Sequence, residues 1–193
     1  MANIGNLFVV AAPSGAGKHT ILRKVLDKDP NLVYCISATS RTPRESEIEG
    51  IHYFFFDRIA FEQGIDQGEF VEWAEVHGNL YGTLRDELTR RLESGKDIVL
   101  ELDVQGMRNL TALYPDAATV FIMASSIEIL AQRLRKRGAN TEEDMAVRLK
   151  NARDEIAARH AFQYIIINDE LDEAVADMQA IVRAQRCRSA RQP

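Results

Sequence analysis

The chain has 193 residues, 46% hydrophobic and 27% charged, a composition that excludes a disordered chain and fits one α/β domain with inserted sub-regions. A formal charge of −5 argues against a general nucleic-acid surface, so any polyanion has to meet local arginines. Cys35 and Cys187 are too few and too far apart for a disulfide framework or a zinc site. With no basic, apolar leader and no apolar run near the roughly 20 residues of a membrane span, the expectation is a cytoplasmic protein without membrane contact.

In chain order, Leu7 to Ala11 reads as a buried strand, followed by Ala12-Pro13-Ser14-Gly15-Ala16-Gly17-Lys18-His19-Thr20 and a helical pattern at Ile21, Leu22 and Val25. Further buried strands are predicted at Val33 to Ile36, Ile98 to Leu102, Thr119 to Met123 and Tyr164 to Ile167, with helices between most of them. That alternation predicts a parallel sheet covered on both faces. Two stretches break it. Residues 37–83 carry a polar loop, the aromatic run His52 to Phe56, a short helical stretch and the half-alternating Glu69 to Ala74, which together read as a small β-rich insertion. After the fourth strand, Ser125 to Glu128 resembles a capping box, its helix runs to Arg133, Arg135 and Arg137, and Gly138 ends it. Thr141 to Asp144 starts a second helix with Met145, Leu149, Ala152 and Ile156 on one face, so the pair forms a lid. The basic stretch Arg183 to Arg191 reads as a solvated helix end.

The glycine loop between a strand and a helix is a phosphate-binding loop in all but one respect. Gly15 and Gly17 allow the backbone N–H groups to turn toward triphosphate oxygens, and Lys18 adds a mobile charge. The exception is His19, which stands where the motif requires a Ser or Thr hydroxyl for magnesium. Downstream, Ser37, Arg41, Arg44 and Tyr53 gather guanidinium forks and hydroxyls suited to a phosphate dianion. Glu72 can accept two N–H donors from a guanine edge, or stand as a surface carboxylate on a half-exposed strand. Thr83 can donate to a base carbonyl, or cap the helix after it. Glu101 and Asp103 follow a buried strand, at the sheet edge where α/β proteins bind ligands and nucleotide kinases manage magnesium.

Taken together, Ala-Pro-Ser-Gly-Ala-Gly-Lys at 12–18, Ser-Arg-Thr-Pro-Arg at 40–44, the aromatics at 53–56, Glu-Trp-Ala-Glu at 72–75, Tyr-Gly-Thr at 81–83, Asp-Val-Gln-Gly at 103–106, Arg-Leu-Arg-Lys-Arg-Gly at 133–138 and Ile-Asn-Asp at 167–169 resemble the guanylate kinase family. The resemblance spans residues 6 to 186. It implies the P-loop nucleoside monophosphate kinase fold, an α/β fold with a five-stranded parallel core sheet. It further implies magnesium-dependent phosphoryl transfer from ATP to GMP, with dGMP as a second acceptor, by a monomer or homodimer. The implied organisation is core at 1–36, 84–124 and 150–193, a GMP-binding insertion at 37–83 and a lid at 125–149. The implied GMP residues are Ser37, Arg41, Arg44, Tyr53, Glu72, Tyr81, Thr83 and Asp103. On the ATP side the implied residues are Ala12 to Thr20 (Ala12, Pro13, Ser14, Gly15, Ala16, Gly17, Lys18, His19, Thr20) with Asn168 and Asp169. Lys18, Arg41, Arg133, Arg137 and Arg148 are the implied catalytic cations, and magnesium is expected near Thr20, Glu101 and Asp103, largely through water.

Ala12 replaces the first glycine of the strict loop pattern, as bacterial-looking members of the family do, whereas Ser46 stands where the family usually has glycine and Glu101 where aspartate is common. For His19 three readings stay open: Thr20 or water takes over the magnesium contact, the imidazole adds charge beside the phosphates, or the enzyme is crippled. Rival functions are a silent interaction module of the same family, which typically lacks the loop and lid arginines, and a kinase of phosphorylated sugars, which has no use for base readers.

Overall fold

A computed structural model describes residues 4–76, 78–136 and 141–188. In chain order the elements are β1 (Leu7–Ala11), α1 (Lys18–Lys28), β2 (Leu32–Tyr34), β3 (Ala38–Thr39), β4 (Phe54–Phe55), α2 (Arg58–Asp66), β5 (Phe70–Val76), β6 (Asn79–Leu84) and α3 (Arg85–Glu93). They continue with β7 (Asp97–Glu101), α4 (Val104–Leu113), β8 (Ala118–Met123), α5 (Ile127–Lys136), α6 (Glu142–Ala157), a 3-10 turn (Ala158–Ala161), β9 (Tyr164–Ile167) and α7 (Leu171–Arg186).

The five predicted apolar strands form one parallel sheet in the order β2-β7-β1-β8-β9. Because side chains alternate across a strand, β1 feeds both faces of the sheet. Phe8 and Val10 join Ile21, Leu22 and Val25 of α1 and Val175, Met178 and Val182 of α7. Leu7, Val9 and Ala11 join Leu88 and Leu92 of α3 and Met107 and Leu110 of α4. The central strand is therefore buried throughout, as the unbroken apolar run Leu-Phe-Val-Val-Ala demands. Crossovers leave β1 toward β2 and β7 on one side and β8 and β9 on the other, so its carboxyl end is the switch point where a ligand crevice opens.

Residues 38–84 form a second sheet, β4-β3-β6-β5, with an apolar centre of its own. Phe61 of α2 stacks on Phe70 of β5 at 4.3 Å, and Phe56 meets both edge-on. The aromatic run thus serves packing. Register shifts between Phe70 and Glu72, and the bulge sets Glu72 directly opposite Thr83.

Thr141 caps α6 with its hydroxyl, as expected, while the cap of α5 is Ser126, which accepts from the Ile129 N–H at 3.3 Å. The expected stop at Gly138 lies outside the described residues. α6 runs unbroken through residue 150, where the sequence predicts the change from lid to core. Among the described residues no helix is long and apolar enough to cross a membrane.

One expectation about the C-terminus fails. Arg186 is not a solvated helix end: it donates to Asp97 at 2.6 Å and pairs with Asp29 at 2.8 Å. Asp97 also accepts from the backbone and side chain of Asn6, each at 2.7 Å. This buried carboxylate ties α7, β7 and the segment before β1 together. Replacing Asp97 by Ala removes the acceptor shared by Asn6 and Arg186 and leaves Arg186 with Asp29, and a loss of about 1–3 kcal/mol is expected, measurable by urea denaturation.

Candidate functional site

The loop after β1 is shaped by two left-handed glycines, Gly15 at φ 89° and Gly17 at φ 87°. Gly17 is the N-terminal cap residue of α1 and offers no side chain, so the first N–H groups of the helix have no side-chain partner. They form an anion seat with the positive end of the helix dipole. Below them lies Asn168, buried, whose Nδ2 donates to the Ala16 carbonyl at 2.6 Å. A Cβ on Gly17 would stand 2.3 Å from that amide nitrogen. Pro13 and Ala16 are buried and Ser14 exposed, so the loop contributes chiefly its backbone. Gly17→Ala should cost roughly 1–3 kcal/mol through the φ > 0 strain and displace Asn168, a change visible in thermal unfolding.

Two clefts flank this loop. The larger, about 600 Å³, is lined by Lys18 and His19, by Ser37, Tyr53, Glu72 and Tyr81 from the second sheet and its connection, by Glu101 and Asp103 after β7, and by Glu155 of α6. The smaller, about 320 Å³, is lined by Gly15, Gly17, Thr20, Arg133, Asn168 and Asp169. Consecutive helix residues point about 100° apart, so His19 and Thr20 face different clefts. The expected grouping of Thr20 with Glu101 and Asp103 is therefore divided between them.

Lys18 and Glu47 at the larger cleft are each paired. Lys18 Nζ lies 3.1 Å from Glu101, which also accepts from the Tyr34 hydroxyl at 2.9 Å. Burial, with Glu101 beside it, pushes the Tyr34 phenol well above its ordinary value. Arg41 donates twice to Glu47, at 2.8 and 2.9 Å, and lies over the Tyr53 ring. Glu47 also accepts from the Arg44 backbone N–H at 2.8 Å, and Arg41 first and that N–H second hold its carboxyl down to about 2. Tyr53 and Tyr81 meet edge-on at 6.1 Å, while Arg44 is exposed.

Thr83 and Glu72 form the other anchor. The Thr83 hydroxyl donates to Glu72 Oε1 at 2.7 Å, so it does not cap α3, whose cap position is Leu84 without a side-chain bond. Burial pushes the Glu72 carboxyl above the usual range, the Thr83 bond pulls it back, and Asp103 raises it. Asp103 caps α4, its Oδ1 accepting from the Gly106 N–H at 2.7 Å. A Cβ on Gly106 would stand 3.1 Å from Glu72 Oε2, which explains the glycine in Asp-Val-Gln-Gly.

Among the expected catalytic cations, Arg133 donates to the Asp169 carbonyl at 3.4 Å in the smaller cleft. Asp169 accepts from the Ser125 N–H at 3.0 Å. Arg148, half-buried on α6, lines neither cleft, and Arg137 lies outside the described residues. Three residues were not singled out from the sequence: Glu47, Tyr34 and Glu155. Only Glu47 left a signal, an acid six residues after Arg41 in the same polar loop.

Magnesium, the ion the family implies, is matched only in part. Among the described residues no group of three or more His, Cys, Asp or Glu could hold a metal ion. Glu101 is engaged by Lys18 and Tyr34, and one oxygen of Asp103 by Gly106. Position 19 offers an imidazole nitrogen in place of a hydroxyl, a donor magnesium takes poorly. The residues present do not fit the magnesium arrangement of the loop motif.

An anion seat at the switch point of a parallel sheet, beside a cleft that pairs guanidinium and tyrosine groups with a buried carboxylate, defines a P-loop kinase acting on a nucleoside monophosphate. The guanylate kinase family model matches residues 4–185. The chain is 46% identical over 187 residues to the guanylate kinase of Carboxydothermus hydrogenoformans, spanning 97% of this chain and 92% of the other. It is 48% identical over 189 residues to that of Chromobacterium violaceum, spanning 98% and 90%. Among solved structures, guanylate kinase from Anaplasma phagocytophilum superposes with a TM-score of 0.79 at 32% identity, covering 98% of this chain and 90% of that one. An SH3-kinase fragment of tight junction protein 3 shares the fold alone, with a TM-score of 0.53 at 14% identity, covering 97% of this chain and 60% of that one. The chain belongs to the guanylate kinase family, enzymes that transfer a phosphoryl group from ATP to GMP.

Proposed function

We propose that this chain holds GMP in the larger cleft and ATP across the glycine loop and the smaller cleft, with dGMP as a second acceptor. The observation that carries the reading is the buried Thr83–Glu72 pair at the base of a cleft walled by Ser37, Tyr53 and Tyr81. An ionised Glu72 accepts two N–H donors from guanine, while Thr83 holds that carboxylate in place by donating its hydroxyl to Oε1. Arg41, Arg44 and the tyrosines take the phosphate dianion. Both sets of contacts spare the sugar 2′-position, which is why dGMP is included. On the donor side, the backbone of residues 12–17 seats the triphosphate, Lys18 exchanges Glu101 for a phosphate oxygen, and Asn168 and Asp169 border the adenine.

Phosphoryl transfer through a loose transition state demands positioning and charge neutralisation more than acid–base chemistry. Arg133, Arg137 and Arg148 supply that charge once both substrates are in place, and closure of residues 125–149 as a lid keeps water out. Residues 37–83 act as the acceptor-binding insertion. The enzyme works in the cytoplasm as a monomer or homodimer, with no nucleic-acid or membrane partner.

A coupled assay comparing GMP, AMP and UMP tests the acceptor assignment, and absence of a GMP preference refutes it. Two further outcomes are expected. Because Glu72 must be ionised and its carboxyl is raised by burial, KM for GMP should rise as pH falls through that raised value, above the ordinary carboxylate range of about 4. Glu72→Gln should bind GMP weakly and lose that component of the profile, leaving only the titration of the nucleotide phosphate common to both proteins. Arg148→Ala should lower kcat on the order of 10³-fold with KM for GMP little changed, as steady-state kinetics will show.

A further inference from the structure

Glu155 stands on α6 one turn beyond the buried Ala152 and beside Ile156, which packs against the cores on both faces of the main sheet. Its side chain is therefore carried to the margin of the core, where it lines the larger cleft. The carboxyl forms no hydrogen bond or ion pair with any described residue. The other carboxylates of that cleft are committed: Glu47 to Arg41 through both oxygens, Glu101 to Lys18 and Tyr34, Glu72 to Thr83 through one oxygen, and Asp103 to the Gly106 N–H through one. Among the described residues Glu155 is the cleft carboxylate with both oxygens open. We propose that Glu155 accepts hydrogen bonds from the ribose hydroxyls of the acceptor nucleotide, so that this chain prefers ribonucleotide to deoxyribonucleotide acceptors.

A nucleoside monophosphate brings a base, a sugar and a phosphate into the cleft. In the binding mode proposed for GMP, Glu72 takes the base N–H groups, and the arginines and tyrosines take the phosphate. Neither set serves the sugar. Its two hydroxyls are the O–H donors left over, and an ionised carboxylate, which only accepts, is their complement. Position agrees with chemistry. Burial raises the Glu155 carboxyl above its ordinary value, Lys18 lowers it and Asp103 raises it, so the group lies within electrostatic reach of both the loop lysine and the base end of the cleft. The sugar, which joins base to phosphate, spans that interval. Because the base and phosphate contacts do not use the sugar, dGMP remains an acceptor, but a poorer one.

This role of Glu155 rests on GMP occupying the larger cleft, and the test separates the two claims. No preference for GMP over AMP and UMP overturns both. Where that preference holds, steady-state kinetics compare GMP with its 2′-deoxy and 3′-deoxy forms. In the unmodified protein each deoxy acceptor should show kcat/KM lower by about tenfold or more, the low end for losing a hydrogen bond to a charged acceptor. In Glu155→Ala the value for GMP should fall toward those of the deoxy acceptors, and Glu155→Gln, which keeps one accepting oxygen, should restore part of the preference. Equal use of the three acceptors by the unmodified protein overturns the role of Glu155 and leaves the cleft assignment intact. So does a Glu155→Ala variant that slows all three together with their ratios unchanged, the behaviour of a merely structural residue. Because the first comparison uses only the unmodified protein, it does not depend on the variants folding.

Discussion

The first turn of α1 begins with backbone N–H groups that neither a helical carbonyl nor a capping side chain accepts. Leaving donors unpaired is unfavourable unless water or a ligand answers them, and the surrounding structure keeps the seat open. Gly15 and Gly17 adopt φ values few other residues tolerate, and Asn168 holds the Ala16 carbonyl from behind. The buried central strand β1 fixes where the loop begins, and the split of the sheet around it supplies the crevice. Everything chemical in the molecule is set out around those donors.

Donor and acceptor sides are separated by one step along a helix. His19 faces the side with Glu72, Glu101 and Asp103, and Thr20 the side with Arg133 and Asn168. The second sheet reaches its side with a core of its own, and the bulge before Glu72 aligns that carboxylate with Thr83. Gly106 leaves room for it at the start of α4. Thus a backbone irregularity, a cross-strand pair and a missing side chain on another element combine to place one carboxyl group.

Five strands and the glycine loop were legible because unbroken apolar runs and closely spaced glycines are local properties, written in adjacent residues. The insertion was legible because it broke that rhythm. What escaped depends on distance or direction. Asn168 reaches Ala16 across 152 positions, and Arg186 reaches Asp97 across 89, separations over which no periodicity speaks. The divergence of His19 and Thr20 is a matter of helical direction, invisible in a motif that treats them as neighbours. Glu47 sat in plain view among Arg41 and Arg44, yet an acid beside arginines in a polar loop reads as a solvated turn until its side chain is seen holding the Arg41 guanidinium.

The Arg41–Glu47 pair alters what a phosphate meets on entering the cleft. Arg41 is not a bare cation: its guanidinium already carries a tethered carboxylate, whose partners include the Arg44 backbone as well. An anion that arrives must exchange with that carboxylate or use the donor positions it leaves over, so the gain on binding is a difference between two ion pairs. A free inorganic anion finds little advantage in such an exchange. A phosphate attached to a base that Glu72 can hold brings a second foothold, and the site selects the whole nucleotide by making its most charged contact the least self-sufficient one.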